Sequence, residues 1–173
     1  MITLFVEENN PLSQKIYNDL IFHLQFHQLT CTCGHSGCLS VHAYYKRSIK
    51  TSEGIIRLTI CRVRCSCCGR THALLPSSIV PYSQVSLKDH TTIITNYNDH
   101  ISQSSLMDSS PLIDESSIRY IIRQYLHFWK QKLLSEKVSL VPADTLVPAC
   151  FSFFSRQFMQ IKSTPNILFQ SPT

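Results

Sequence analysis

Seven of the eight cysteines in this 173-residue chain fall between Cys31 and Cys68, and only Cys150 stands apart. Where thiols are kept reduced, cysteines clustered this closely hold metal more often than they pair as disulfides. Cys65, Cys68 and Gly69 form a C-x2-C-G knuckle. Two thiolates at that spacing can reach one zinc ion at about 2.3 Å, and the glycine allows the positive φ that turns backbone amides toward the sulfurs. Upstream, Cys33-Gly34 repeats the Cys68-Gly69 pair, which makes Cys33 the third expected ligand. The fourth is either Cys31, as a knuckle shortened by one residue, or Cys38, as a C-x4-C; Cys31 is favoured. Four thiolates close a tetrahedral site, so His35, His42 and His72 are read as neighbours or surface groups, and Cys67 as a spare thiol facing away. A closed site has no position for a substrate, so the expected Zn2+ is structural. An iron–sulfur centre or a redox dithiol are the other chemistries such thiols support.

These ligands need a frame. The segments HAYYKRSIK and GIIRLTICRVRC are rich in β-branched and aromatic residues, with TSEG between them as a turn. Two strands with metal at their open end make a zinc ribbon over residues 31–82, a hairpin too small to be stable without its ion. Before it, residues 1–30 hold a helix with Leu12, Ile16, Leu20, Leu24 and Phe26 near one face and Pro11 suited to a first turn. After a two-proline connector, residues 83–137 read as a helix over LKDHTTIITNYNDHI, a serine-rich turn and a long helix capped by Asp114 or Ser116. Ile118, Ile122, Tyr125, Trp129 and Leu133 share one side of that helix, opposite Arg119, Arg123, His127 and Lys130. This is the plan of a helix-turn-helix, whose second helix enters the major groove. Residues 138–173 supply a short apolar helix, Ala149 to Ile161, with Phe151, Phe154, Phe158 and Ile161 at helical spacing, expected to fold back on the core. The fold class is α+β: a zinc ribbon, meaning a β-hairpin with a four-cysteine zinc site, joined to a mainly helical, helix-turn-helix-like part.

Charge is concentrated in the same places. From His42 to His72 seven basic residues face Glu53 alone, a net +6 that exceeds the +5 of the whole chain. Arg119 to Lys137 adds five basic residues against Glu136. Two basic islands in an otherwise acidic chain suit a protein that meets phosphates. With metal fixing the backbone, Lys46, Arg47, Arg57, Arg62, Arg64 and Arg70 are free to serve as contacts, as are Arg119, Arg123 and Lys130 on the long helix. Tyr44 and Tyr45 can stack on bases or pack in the core. No stretch approaches the roughly 20 apolar residues of a membrane span, and MITLFVEENNPLSQK is acidic where a signal peptide is basic, so a cytoplasmic protein is expected. There is no Gly-rich phosphate loop, no H-E-x-x-H and no ordered Ser/His/Asp grouping, so no catalytic residues are assigned and no enzyme is expected.

The run HAYYKRSIKTSEGIIRLTICRVRCSCCGRTHALLPSSIVPYSQ resembles the zinc-ribbon and helix-turn-helix N-terminal part of bacterial insertion-sequence transposases. There, paired knuckles bracket an HG-Y-R strand and an R-x-RC-x-x-CGRT strand, followed by LLP and PY. The chain resembles more closely a family of short bacterial mobile-element proteins that share the ribbon, the helical segment and a stretch like FSRQFMQIKSTPNILF. Here Ala43 stands where glycine is usual, and the first knuckle is one residue short. The resemblance implies that Arg47, Arg62, Arg64, Arg70, Arg119 and Arg123 contact double-stranded DNA. Such transposases cut DNA with three carboxylates on a ribonuclease-H-like sheet, for which the residues after Lys137, with Asp144 as their only acid, leave no room. The expectation is therefore a non-catalytic DNA-binding accessory or regulatory factor of a mobile element, partnered by duplex DNA and by a recombinase, a transposase or a second copy of itself. A protein-interaction module, and a binder of single-stranded nucleic acid or RNA, are the rival readings. Contact with six to eight phosphates corresponds to a log–log salt slope of roughly −5 to −7.

Overall fold

The computed structural model describes residues 1–6, 12–109 and 111–160. Pro11, Ile161 and the end of the FSRQFMQIKSTPNILF stretch lie outside them. The expected hairpin is present as β2 (Leu39–Lys50) and β3 (Ile55–Cys65), antiparallel, turned by Thr51–Gly54. The Thr51 hydroxyl accepts from the amides of Glu53 and Gly54, which fixes the turn. The sheet is not two-stranded, however. THALLP forms β4 (Thr71–Pro76) antiparallel to β3, and β1 (Ile2–Leu4), from the segment expected to supply only a helix, pairs parallel with β4. The sheet order is β1-β4-β3-β2. A lone hairpin is marginal in water; the two added strands, with the helix packed on them, give it a core. α1 (Gln14–Phe22), capped by Ser13, lies against β3. Its buried Tyr17 hydroxyl donates to Leu74 O at 3.1 Å and accepts from the Cys61 amide at 2.8 Å, so one side chain ties α1 to both β3 and β4.

A bulge at His42 shifts the register of β2 between Val41, opposite Val63, and Ala43, opposite Arg62. Along β3 the buried side changes at the same level. Leu58 and Ile60 are buried while Arg57 and Thr59 are exposed; farther on, Cys61, Val63 and Cys65 are buried while Arg62 and Arg64 are exposed. Successive strand residues alternate in side, so the tip of the hairpin is covered on one face and its cysteine end on the other.

The helical half has its own core. α2 (Leu87–Asn98), capped by Ser86, packs against α4 (Glu115–Gln124), capped by Asp114. The serine-rich segment expected as a turn instead winds into α3 (Gln103–Ser109). The long helix continues from α4 through a π-helical turn at Tyr125–Trp129 into α5 (Lys130–Ser135). The buried series is Ile118, Ile121, Tyr125, Trp129 and Leu133, with Ile122 half-buried at its margin, and the wide turn keeps Trp129 on the side of Tyr125. α6 runs Ala143–Phe154, six residues earlier than expected, and ends at Ser155 with φ 52°. Phe158 therefore lies beyond the helix, yet it is fully buried with its ring 5.5 Å from that of Trp129, so the described residues after α6 fold back on the core. Among the described residues no helix is long and apolar enough to cross a membrane.

Polar ties join the halves. Lys50 Nζ meets Asp114 Oδ2 at 2.7 Å, and the Ser52 amide donates to Asp89 Oδ1. The buried Gln157 side chain accepts from Thr3 Oγ1 and donates to the carbonyls of Ser77 and Ile79, linking the tail to β1 and the connector.

Candidate metal centre and basic faces

Two short loops bring the sulfurs together. The Cys31 amide donates to His35 O and the Gly34 amide to Cys31 O, curling residues 31–35, while the Gly69 amide donates to Cys65 O. Gly34 and Gly69 have φ of 89° and 69°, the positive values expected at the two knuckles. The amides of Cys33, His35, Cys68 and Arg70 point in turn at the sulfurs of Cys31, Cys33, Cys65 and Cys68. Both knuckles thus present one arrangement despite their different spacing.

The sulfurs of Cys31, Cys33, Cys65 and Cys68 lie within 4.8 Å of one another and could hold a metal ion. Two of the separations are 3.7 Å, Cys31 to Cys68, and 3.8 Å, Cys33 to Cys65. A tetrahedron with metal–sulfur bonds of about 2.3 Å has edges of about 3.8 Å, so the donors fit such an ion. This geometry takes Cys31 rather than Cys38 into the set. Cys38 stands beside it, its sulfur 3.3 Å from Cys65 Sγ and donating to His35 O. Cys67, expected to face away, has its sulfur within 4.8 Å of those of Cys38 and Cys65. The sequence spacing carried no signal for that approach. His72, buried on β4, places Nε2 3.3 Å from Cys31 Sγ, and His35 Nδ1 lies 3.5 Å from Cys33 Sγ. Both histidines sit beside the sulfurs, as expected, while His42 is exposed at the bulge.

The thiols perturb one another. The Cys33 amide brings Cys31 down to about 7. Burial opposes ionisation of Cys65, but the Cys68 amide and neighbouring thiols outweigh it and bring Cys65 down to about 6. Cys68 receives the Arg70 amide, yet burial and the adjacent sulfurs push it up to about 12. Cys38 is pushed up to about 12 by Cys65 and by burial. Charge on one sulfur opposes charge on the next, the repulsion that a bound dication cancels. A Cβ built on Gly69 would come within 4.0 Å of Arg64 Nη2, so that guanidinium lies beside the turn of the second knuckle.

The basic residues do not form one patch. Arg62 and Arg64 are two apart on β3 and share a face with Ser40 and Ala43, their cross-strand partners. Arg57 and Lys46, opposite Ser48 and Thr59, lie on the other face of the pleat. Arg70 is exposed in the knuckle turn. Arg47 turns one nitrogen to the connector and holds it: Nη2 reaches Val80 O at 2.9 Å and Ser83 O at 2.6 Å. On α4, Arg119 pairs with Glu115 and Arg123 lies over the Tyr120 ring, both exposed, whereas Lys130 is half-buried. Between Tyr82–Val85 and α4 runs an open groove of about 740 Å³ edged by Arg119, Arg123 and Tyr120. Tyr44 is 60 % exposed, while Tyr45 packs on the sheet core.

No curated protein matches the chain, and no solved structure does. A family model described as a domain of unknown function, DUF6431, matches residues 30–119, a span that holds both knuckles, β2 to β4 and the start of α4. By that match over more than half its length, the chain belongs to the DUF6431 family.

Proposed function

We propose that the protein is a non-catalytic, zinc-stabilised binder of double-stranded DNA, acting as an accessory or regulatory factor of a mobile element. Cys31, Cys33, Cys65 and Cys68 would hold the ion, and zinc would supply a cross-link between the loop before β2 and the end of β3. The observation that carries the reading is the pairing of that pinned strand end with exposed guanidinium groups: Arg62 and Arg64 project from the residues just before Cys65. A strand held by its ligands does not need those side chains for stability, and they are available to phosphate oxygens. Arg119 and Arg123 beside the connector groove offer a second set on a helix. The mobile-element role rests on the resemblance of His42–Tyr82 to transposase zinc ribbons.

The test combines metal analysis of purified protein with a salt titration of duplex binding, in competition with single-stranded oligonucleotides. Zinc at one equivalent or more, preference for duplex and a steep salt response support the reading. A flat salt response, or preference for the single strand through Tyr44, overturns it.

A further inference from the structure

Six of the eight cysteines converge at one end of the sheet, and a single four-thiolate ion uses only four of them. Cys61 is buried in β3 and Cys150 in the helical core, where both behave as apolar side chains. Cys38 and Cys67 are different. Their sulfurs and that of Cys65 form a second group lying within 4.8 Å of one another, so Cys65 belongs to both groups. We propose that this group is a second metal site, taking a thiophilic d10 dication of the zinc class through Cys38, Cys67 and a bridging Cys65 thiolate. The inference rests on the reading of the first site as a metal centre.

The sharing follows from position. Cys65 is fully buried between the two groups, 3.8 Å from Cys33 on one side and 3.3 Å from Cys38 on the other. The second distance is about half an ångström short of a tetrahedral edge, a gap that small changes at Cys38 can open. Cys38 gives up a 3.2 Å S–H contact to the His35 carbonyl on ligation, and its 3.3 Å contact with Cys65 becomes a shared edge of the site. Cys67 is exposed in the knuckle turn, which gives the ion an entry path and leaves its fourth position to water.

The charge balance favours occupancy. One dication on four thiolates leaves a net charge of −2. The second dication binds two thiols, forms two metal–sulfur bonds with them and a third with the Cys65 thiolate, and releases two protons, so the cluster stays at −2. Nothing is oxidised or reduced.

The experiment uses the full chain, loaded with zinc and dialysed against metal-free buffer, with metal counted by mass spectrometry. The expected result is two equivalents per chain, halved to one by Cys67→Ser and by Cys38→Ser. Cadmium loading then gives two NMR resonances coupled through the shared sulfur. Cys67→Ser, in an exposed turn, keeps the test valid if Cys38→Ser fails to fold. One equivalent in the wild type, unchanged by Cys67→Ser, overturns the second site and leaves the first intact. Two uncoupled cadmium resonances also overturn it, because the second ion then lies elsewhere. No metal at all overturns the first site and the proposed function's zinc with it.

Discussion

If the protein grips duplex DNA, the division of its cations between two strand faces sets how steeply binding falls with salt. Nine basic side chains are sequence candidates, but Arg47 is occupied by two carbonyls and Lys130 is half-buried. Lys46 and Arg57 lie on the opposite face of the pleat from Arg62 and Arg64. If the duplex engages the Arg62 and Arg64 face together with the knuckle turn and α4, it meets five cations, Arg62, Arg64, Arg70, Arg119 and Arg123. Each phosphate neutralised contributes about −0.9 to the slope of log K against log salt, so the five together give about −4.5, shallower than the roughly −5 to −7 of the sequence count. Changing Arg62 and Arg64 together to Gln brings the slope to about −2.7. Between about 0.05 and 0.2 M salt the wild type then loses roughly 500-fold in affinity and the variant roughly 40-fold. Lys46→Gln with Arg57→Gln leaves the slope near its original value.

The assay is fluorescence anisotropy with a labelled duplex at four or more salt concentrations, with circular dichroism to confirm that each variant is folded. Equal flattening by the two double variants refutes the one-face argument, because both sides of the ribbon are then in contact. No flattening by either removes the ribbon from the interface.

Phe158→Ala should destabilise the helical half by about 3–5 kcal/mol, the cost of emptying a large buried site, read by denaturant titration of Trp129 fluorescence, the only tryptophan signal in the chain. His90 is fully buried and burial lowers it to about 4, with its Nδ1 on Ser86 O at 2.8 Å. It is neutral when folded and takes a proton when unfolded below about pH 6.5, so stability is complete above that value and falls by roughly 3 kcal/mol as pH drops toward 4. His90→Gln should flatten the pH profile of the same fluorescence transition; an unchanged profile counts against the assignment. Cys31→Ser with Cys68→Ser should remove the ion of the first site, lowering retained metal by at least one equivalent, and raise amide exchange over residues 65–70, while the Trp129 transition stays in place, since that residue sits in the other core.

Local spacing made the cysteine end legible. A knuckle is a few residues long, so Cys65, Cys68, Cys33 and the two glycines announce their geometry without reference to the rest of the chain. The choice between Cys31 and Cys38 was not local; it depends on the curl of residues 31–35 against β3. β4 was missed because THALLP ends in proline and reads as an apolar run leaving a ribbon. β1 was missed because a parallel partner some 70 residues away leaves no trace in periodicity. The early start of α6 was hidden by Pro148, which sits within its second turn and looks like a boundary. The serine-rich segment carries Ser104, Ser105 and Ser109, residues that favour turns and caps, and they masked the Gln103, Leu106 and Met107 that suit α3. The split of the arginines between faces was invisible until the bulge at His42 fixed which residues oppose which.

The Gln157 amide joins positions 154 residues apart when it meets Thr3. Contacts of that reach form last, after the loop between them has been closed at an entropic cost. During synthesis the first strand must therefore wait for nearly the whole described chain before its final partner arrives. A truncation just short of Gln157 should leave ribosome-released protein with a loosened amino-terminal edge, even though every cysteine is already in place.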